Sequence, residues 1–127
     1  MAATDGNDEK AGFSNFGKDT DLFVPSVEIY SPYGNGLFSW WSGTSQAAPI
    51  VAGEAALLRR LLPSEKAKAR IKVMTKTTTD ISDLNPDYKR NELGDGRVDL
   101  LAAVTSAIAT RRGPKDGKDD DGVLRDR

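Results

Sequence analysis

The stretch that decides the fold is FSWWSGTSQAAPIVAGEAALLRRLLP, residues 38–63. Two aromatic residues, Trp40 and Trp41, run into Ser42-Gly43-Thr44-Ser45, and the chain then turns small and apolar. From Thr44 to Leu62 such residues lie on nearly every side of the first turns, which predicts a buried helix and not a surface one. Ala47, Ala48, Ala52, Gly53, Ala55 and Ala56 would let neighbouring backbones come close. Pro49 fits if it falls in the first turn or so, where backbone N–H groups lack intrahelical partners. Pro63 ends the helix. Ser45 then stands at the positive end of the helix dipole, among orphan N–H groups that favour an anion or a developing oxyanion. Gly43 permits a sharp turn and a close approach. The ordinary reading of the same residues is that Thr44 or Ser45 is an N-cap.

Upstream, "DLFVP" (21–25) and "VEIYS" (27–31) read as short strands, "PYGNG" (32–36) as a turn, and "LFSWWS" (37–42) as a returning strand. Residues 1–20 read as loop with at most a short entry strand. Downstream, Ser64 is placed to cap a second helix running to about Thr75, with Ala67, Ile71 and Met74 as its apolar stripe. "TKTTTDISDLNPDYKRNEL" (75–93) reads as a long connection and "GDG" (94–96) as a tight turn. A third helix starts near Asp99, with Leu100, Val104, Ala107 and Ile108 as its stripe. Residues 111–127 are charged and bear Gly and Pro, the composition of a disordered tail.

Composition limits the chemistry. The 127-residue chain has 18 Lys plus Arg against 19 Asp plus Glu, a net charge of −1, and so no electrostatic case for nucleic acid or an anionic membrane. It has no Cys, hence no disulfide, thiol nucleophile or cysteine metal site. It has no His, which removes the commonest general base for a serine nucleophile. The polar, acidic opening "MAATDGNDEK" does not read as a signal peptide. The best apolar run, Ala47 to Leu62, is broken by Glu54, Arg59 and Arg60 and is no bilayer span.

"SGTSQAAPIVAGEAALL" resembles the nucleophile-serine motif of the subtilisin-like serine proteases: G-T-S, a variable residue, two small residues, Pro, then V-A-G and an alanine-rich helix. "ATDGNDEKAGFSNFG" (3–17) resembles the family's passage from a core strand to its A-x-F-S-N-x-G loop, and "DLFVPSVEIYS" resembles the strands that follow. "LGDGRVDLLAAV" (93–104) resembles its closing turn and last helix. The implied fold is α/β, a mostly parallel sheet with helices on both faces, of which residues 1–110 would supply only the last strands and the C-terminal helices. By the same resemblance Ser45 is the nucleophile and its own N–H an oxyanion donor. Pro49, Gly53 and the small residues seat the helix, and Trp41 and Ser42 lie on the leaving-group side of the cleft. Three positions depart from the pattern: Gln46 stands where many bacterial relatives carry Met, Ile50 replaces a common non-catalytic His, and Ser26 replaces the usual Gly after Pro25.

The resemblance places the catalytic Asp, the catalytic His and the side-chain oxyanion Asn before residue 1, and Asn15 and Asn35 match none of them. The expected function is therefore the C-terminal segment of a serine endopeptidase, with little turnover by this chain alone. The rival readings are a non-catalytic remnant that binds another chain, or one half of a split protease completed by the missing N-terminal half. A helix apolar all round, with few strands to cover it, predicts a marginal or molten state with exposed apolar surface. The expected partner is a polypeptide, with no nucleic acid and no membrane, and an extracellular or periplasmic place follows from the family alone. No cofactor is expected. Asp19 and Asp21 match a weak cation site (calcium or sodium) of some family members, although alternating acids in a turn are ordinarily just solvated. "NELGDGRVDLLAAV" fails as a calcium loop, since Leu93 and Ala102 fall at ligand positions. Trp40 and Trp41 lack the basic surroundings of a base-stacking platform.

Overall fold

The computed structural model describes residues 1–112. Three strand-forming residues at each end of a loop make the first sheet. β1 (Ala2–Thr4) runs parallel to β2 (Phe23–Pro25), in the register Ala2 to Phe23, Ala3 to Val24 and Thr4 to Pro25. Ala2, Ala3, Thr4, Phe23 and Val24 are all buried, as expected of parallel strands covered on both faces. The other edge of β2 is also paired: Phe23 N–H donates to the Gly96 carbonyl and Val98 N–H to the Phe23 carbonyl, both at 2.9 Å. The segment read as Arg97-Val98 passing into the third helix is thus also a parallel bridge to β2.

The second sheet is a hairpin of β3 (Ile29–Tyr33) and β4 (Leu37–Trp41), antiparallel, with Ile29 opposite Trp41 and Tyr33 opposite Leu37. Its turn needs positive φ at Asn35 (57°) and Gly36 (74°), which these residue types supply. β3 begins two residues later than the sequence suggests. Glu28 is left-handed (φ 53°) and its N–H donates to Ser42 Oγ at 2.8 Å, so residues 27–28 belong to a turn. Tyr30 stacks on Phe38 and Trp40, with ring centroids 5.2 and 4.8 Å apart.

Three helices follow: α1 (Thr44–Leu61), α2 (Ala67–Lys76) and α3 (Leu100–Arg112). The bounds of α1 match the sequence pattern, with Leu62 at its C-cap before Pro63. Its burial does not. Ala47, Glu54 and Leu58 are buried and Val51 and Leu61 partly so, but Ala48, Ile50, Ala52, Ala55, Ala56 and Leu57 are exposed. One side packs on β2, α2 and α3, and the described residues contain nothing to cover the other. Pro49 is the sixth residue of α1, a turn deeper than expected, so the Ser45 carbonyl has no N–H four residues on to receive.

Two further expectations are corrected. Ser64 does not cap α2, which starts three residues later after Lys66 with no side-chain cap. Of its expected stripe only Met74 is buried, while Ala67 and Ile71 are exposed. On α3 the buried residues are Ala103 and Ala107, one turn apart, and Leu100 is exposed. Small side chains here let α3 approach α1 closely, so the tight face is not the bulkiest one. α3 includes Arg111 and Arg112, the first residues of the segment read as a tail, and the rest of that segment lies outside the described residues.

The main core joins Leu22 and Val24 of the first sheet to Ala47, Leu58, Leu62, Met74, Val98, Ala103 and Ala107. A smaller cluster of Ala2, Phe23, Ile81 and Leu93 lies on the other face of β2. It anchors the long connection after α2, which carries two short 3₁₀ turns, Ser82–Leu84 and Arg90–Glu92. Buried Asn85 fixes it to the N-terminal loop: Lys10 N–H donates to Asn85 Oδ1 at 2.7 Å, and Nδ2 donates to the Asp8 and Ile81 carbonyls. Gly94, at φ 61°, closes the turn before α3; a Cβ there would meet the Thr20 and Asp21 carbonyl oxygens at 2.5 and 2.6 Å.

Candidate active site

The turn from β4 into α1 is held from below by the first sheet. Ser26 N–H donates to the Thr4 carbonyl at 3.0 Å, and Gly43 N–H donates to the Ser26 carbonyl at 2.9 Å. Ser26 is buried and its hydroxyl donates to the Val24 carbonyl at 2.7 Å, so the residue that replaces the family's Gly ties down its own turn. Ser42 Oγ, which accepts from Glu28, fixes the other side. These contacts join three segments remote in sequence; Ser26 stood out only as a departure from the pattern, and Glu28 carried no signal that would have marked it as part of the site.

Gly43 holds the N-cap position with φ 157° and ψ 160°, and no side chain caps the helix. The N-cap reading of Thr44 or Ser45 is therefore set aside: they are the first and second residues of α1. A Cβ at Gly43 would come within 2.8 Å of Gln46 Oε1, so glycine leaves room for the Gln46 amide to fold back over the turn. Gln46 N–H donates to the Gly43 carbonyl at 3.0 Å. As a first-turn residue, Ser45 has a backbone N–H with no intrahelical acceptor, at the positive end of an 18-residue helix.

Ser45 is exposed and lines a groove with Ile29, Ser31, Gln46, Pro49 and Ile50, between the hairpin and α1. None of these side chains is ionisable, and the only charged residue between positions 26 and 53 is Glu28. The groove thus offers a serine hydroxyl and a backbone N–H with no intrahelical acceptor, and no base among the described residues that line it. Trp41 is exposed on the hairpin face that carries Ile29 and Ser31, and its ring lies 5.8 Å from that of Tyr33. Thr44 and Ser42 are exposed beside it. Pro49 and Gly53 lie on the exposed side of α1, and among the described residues nothing comes within 4 Å of a Cβ at Gly53. The close approach expected there is therefore not made among the described residues.

The cation candidates lie elsewhere. Asp19 and Asp21 are exposed in the loop before β2, and the Asp21 carbonyl accepts from Asp95 N–H at 2.8 Å. Among the described residues no three His, Cys, Asp or Glu side chains are grouped to hold a metal.

The chain is similar in sequence and in fold to known proteases. The chain is 47% identical over 73 residues to the subtilisin-like serine protease Pen ch 13 of Penicillium rubens, which covers 56% of this chain and 18% of that protein. It is 33% identical over 115 residues to an extracellular protease of Xanthomonas campestris pv. campestris, covering 85% of this chain and 19% of the relative. A solved protease of Pseudoalteromonas arctica superposes with a TM-score of 0.73 at 28% identity, over 84% of this chain and 34% of that one. The chain spans about a third or less of each of these proteins. Residues 1–105 match the model of the subtilase family, and the chain belongs to that family.

Proposed function

We propose that this chain is the nucleophile-bearing part of a serine endopeptidase, with Ser45 as the attacking residue. One observation carries the reading: in a subtilase, Ser45 is exposed in the first turn of α1 with its own N–H unpaired. Ser45 Oγ would attack a peptide carbonyl, and the Ser45 N–H would stabilise the resulting oxyanion. The proton leaving Oγ needs a base, and the chain has no His. The catalytic His, its Asp and the second oxyanion donor therefore come from polypeptide outside these 127 residues. Trp41 and Ser42 would flank the leaving peptide.

Polypeptide is the substrate this chemistry takes, and serine acyl transfer needs no cofactor. We assign none, and we leave Asp19 and Asp21 as solvated acids. An extracellular or periplasmic place fits a relative described as an extracellular protease. Among the described residues no helix is long and apolar enough to cross a membrane. The exposed side of α1 fits a larger assembly in which further polypeptide, in the same chain or in a separate one, covers the helix and completes the site.

Removing the nucleophile or the base alone costs ~10⁶ in kcat, and the measured case is itself a subtilisin. The isolated chain is therefore expected to show no Ser45-dependent hydrolysis of an unstructured protein. Supplying a subtilase N-terminal half should allow a serine-reactive phosphonate to label Ser45, and Ser45→Ala should abolish the labelling. Hydrolysis by the chain alone that disappears in Ser45→Ala would overturn the need for an outside base. Labelling that persists in Ser45→Ala would overturn the assignment of the nucleophile.

A further inference from the structure

The buried side of α1 carries one ionisable residue, Glu54. The residue is 3% exposed, and Oε1 has no hydrogen-bond partner among the described residues. Asp99, just before α3, is near enough for its charge to act on Glu54. Asp99 Oδ1 accepts from Ala102 N–H at 2.8 Å, capping α3, and Oδ2 accepts from the Thr79 hydroxyl at 3.4 Å. Two carboxyl groups therefore lie within electrostatic reach of each other where α1 packs on α3.

The other charged groups around α1 are engaged elsewhere or exposed. Arg97 pairs with Asp8 at 2.6 Å, donates to the Val98 carbonyl and reaches the Thr79 hydroxyl at 3.4 Å, which links it to Asp99 but not to Glu54. β1 and β2 carry no charged residue. On α2, Arg70 donates to the Leu62 and Glu65 carbonyls, and Lys68, Lys72 and Lys76 are exposed. Arg59 and Arg60, on α1 itself, are exposed as well. A carboxylate without a cationic partner is costly in such a place, and a neutral carboxyl much less so. Burial, and after it the charge of Asp99, pushes the Glu54 carboxyl above its ordinary value of 4.5.

We propose that Glu54 and Asp99 form a proton-controlled latch between α1 and α3, which seats the helix bearing Ser45 while Glu54 is neutral and loosens it when Glu54 ionises. The folded chain holds the Glu54 proton more tightly than the unfolded chain does. The stabilisation is therefore complete below the ordinary glutamate value and is lost as pH rises through the higher folded-state value. The latch lies nine residues from Ser45, about 13 Å along the helix axis. It does not depend on Ser45 being a nucleophile.

The test is a carbon-detected NMR titration of the Glu54 carboxyl in the full 127-residue chain. The midpoint is expected above that of an ordinary glutamate. In Asp99→Asn, which keeps a good N-cap, it should fall part of the way back, because burial is the larger cause. Urea midpoints of the parent chain should decline as pH rises above the ordinary glutamate value, while those of Glu54→Gln should stay flat over the same range. A Glu54 midpoint at or below the ordinary value would overturn the latch, as would a Glu54→Gln profile that declines like the parent's. The direct titration of the parent decides the matter even if Glu54→Gln fails to fold.

Discussion

Leu57 and Leu58 are adjacent in sequence and on opposite sides of α1, and truncating each tests whether the helix is covered on one side only. Leu58 is 0% exposed and sits in the main core with Leu22, Val24 and Met74. Its neighbours on α3, Ala103 and Ala107, are too short to reach into the space that Leu58→Ala would leave. The cavity therefore persists, and the cost belongs in the upper half of the usual range for such truncations, about 3–5 kcal/mol. An ordinary domain has about 5–15 kcal/mol in all, and a helix with one bare side sits at the low end. Leu58→Ala should thus abolish a cooperative urea transition or bring it to very low denaturant. Leu57 is 46% exposed, and Ala is the slightly better helix former. Leu57→Ala should change stability by less than about 0.5 kcal/mol. The assay is urea denaturation followed by far-UV circular dichroism at several protein concentrations. Comparable losses in both variants would mean that the outer side is covered in solution. A Leu58→Ala loss under about 1 kcal/mol would mean that α1, α2 and α3 share no packed core, and would refute the reasoning from the other direction.

Two further perturbations test how the loops are tied to the sheet. Gly94→Ala forces a side chain into the left-handed region and against the Thr20 and Asp21 carbonyls; it should cost roughly 2–4 kcal/mol and shift the amide resonances of both β2 and α3. Asn85→Ala strips a partner from Lys10 N–H and from the Asp8 and Ile81 carbonyls. It should cost about 2–3 kcal/mol and speed hydrogen exchange at Lys10, and unchanged exchange there would remove Asn85 as the tie between these loops.

Much of the local structure is legible in the sequence. The helix from Thr44, the stop at Pro63, the Asn35-Gly36 turn and the Gly94–Gly96 turn follow from residue types that fix φ or remove an N–H. The motif around Ser45 identified the family from a single stretch, because small residues, a proline and glycines at fixed spacing rarely coincide by chance. The supports of that motif were not legible. Ser26, Glu28 and the Thr4 carbonyl meet the turn at Gly43 only because the first sheet and the hairpin converge there. The cap at Ser64 failed for a related reason: α2 starts at Ala67, just after the chain folds back across Leu62, and not behind the best local capper.

The sequence by itself determined where α1 begins, that Ser45 heads it, and that no histidine in the chain can activate that serine. It could not determine which side of α1 is buried, since a helix apolar nearly all round has no periodic signal to orient it. Only the tertiary structure decided that. It turned Ala47, Leu58 and Glu54 inward and left the other alanines and Leu57 bare, because β2, α2 and the small face of α3 meet the helix on that side alone.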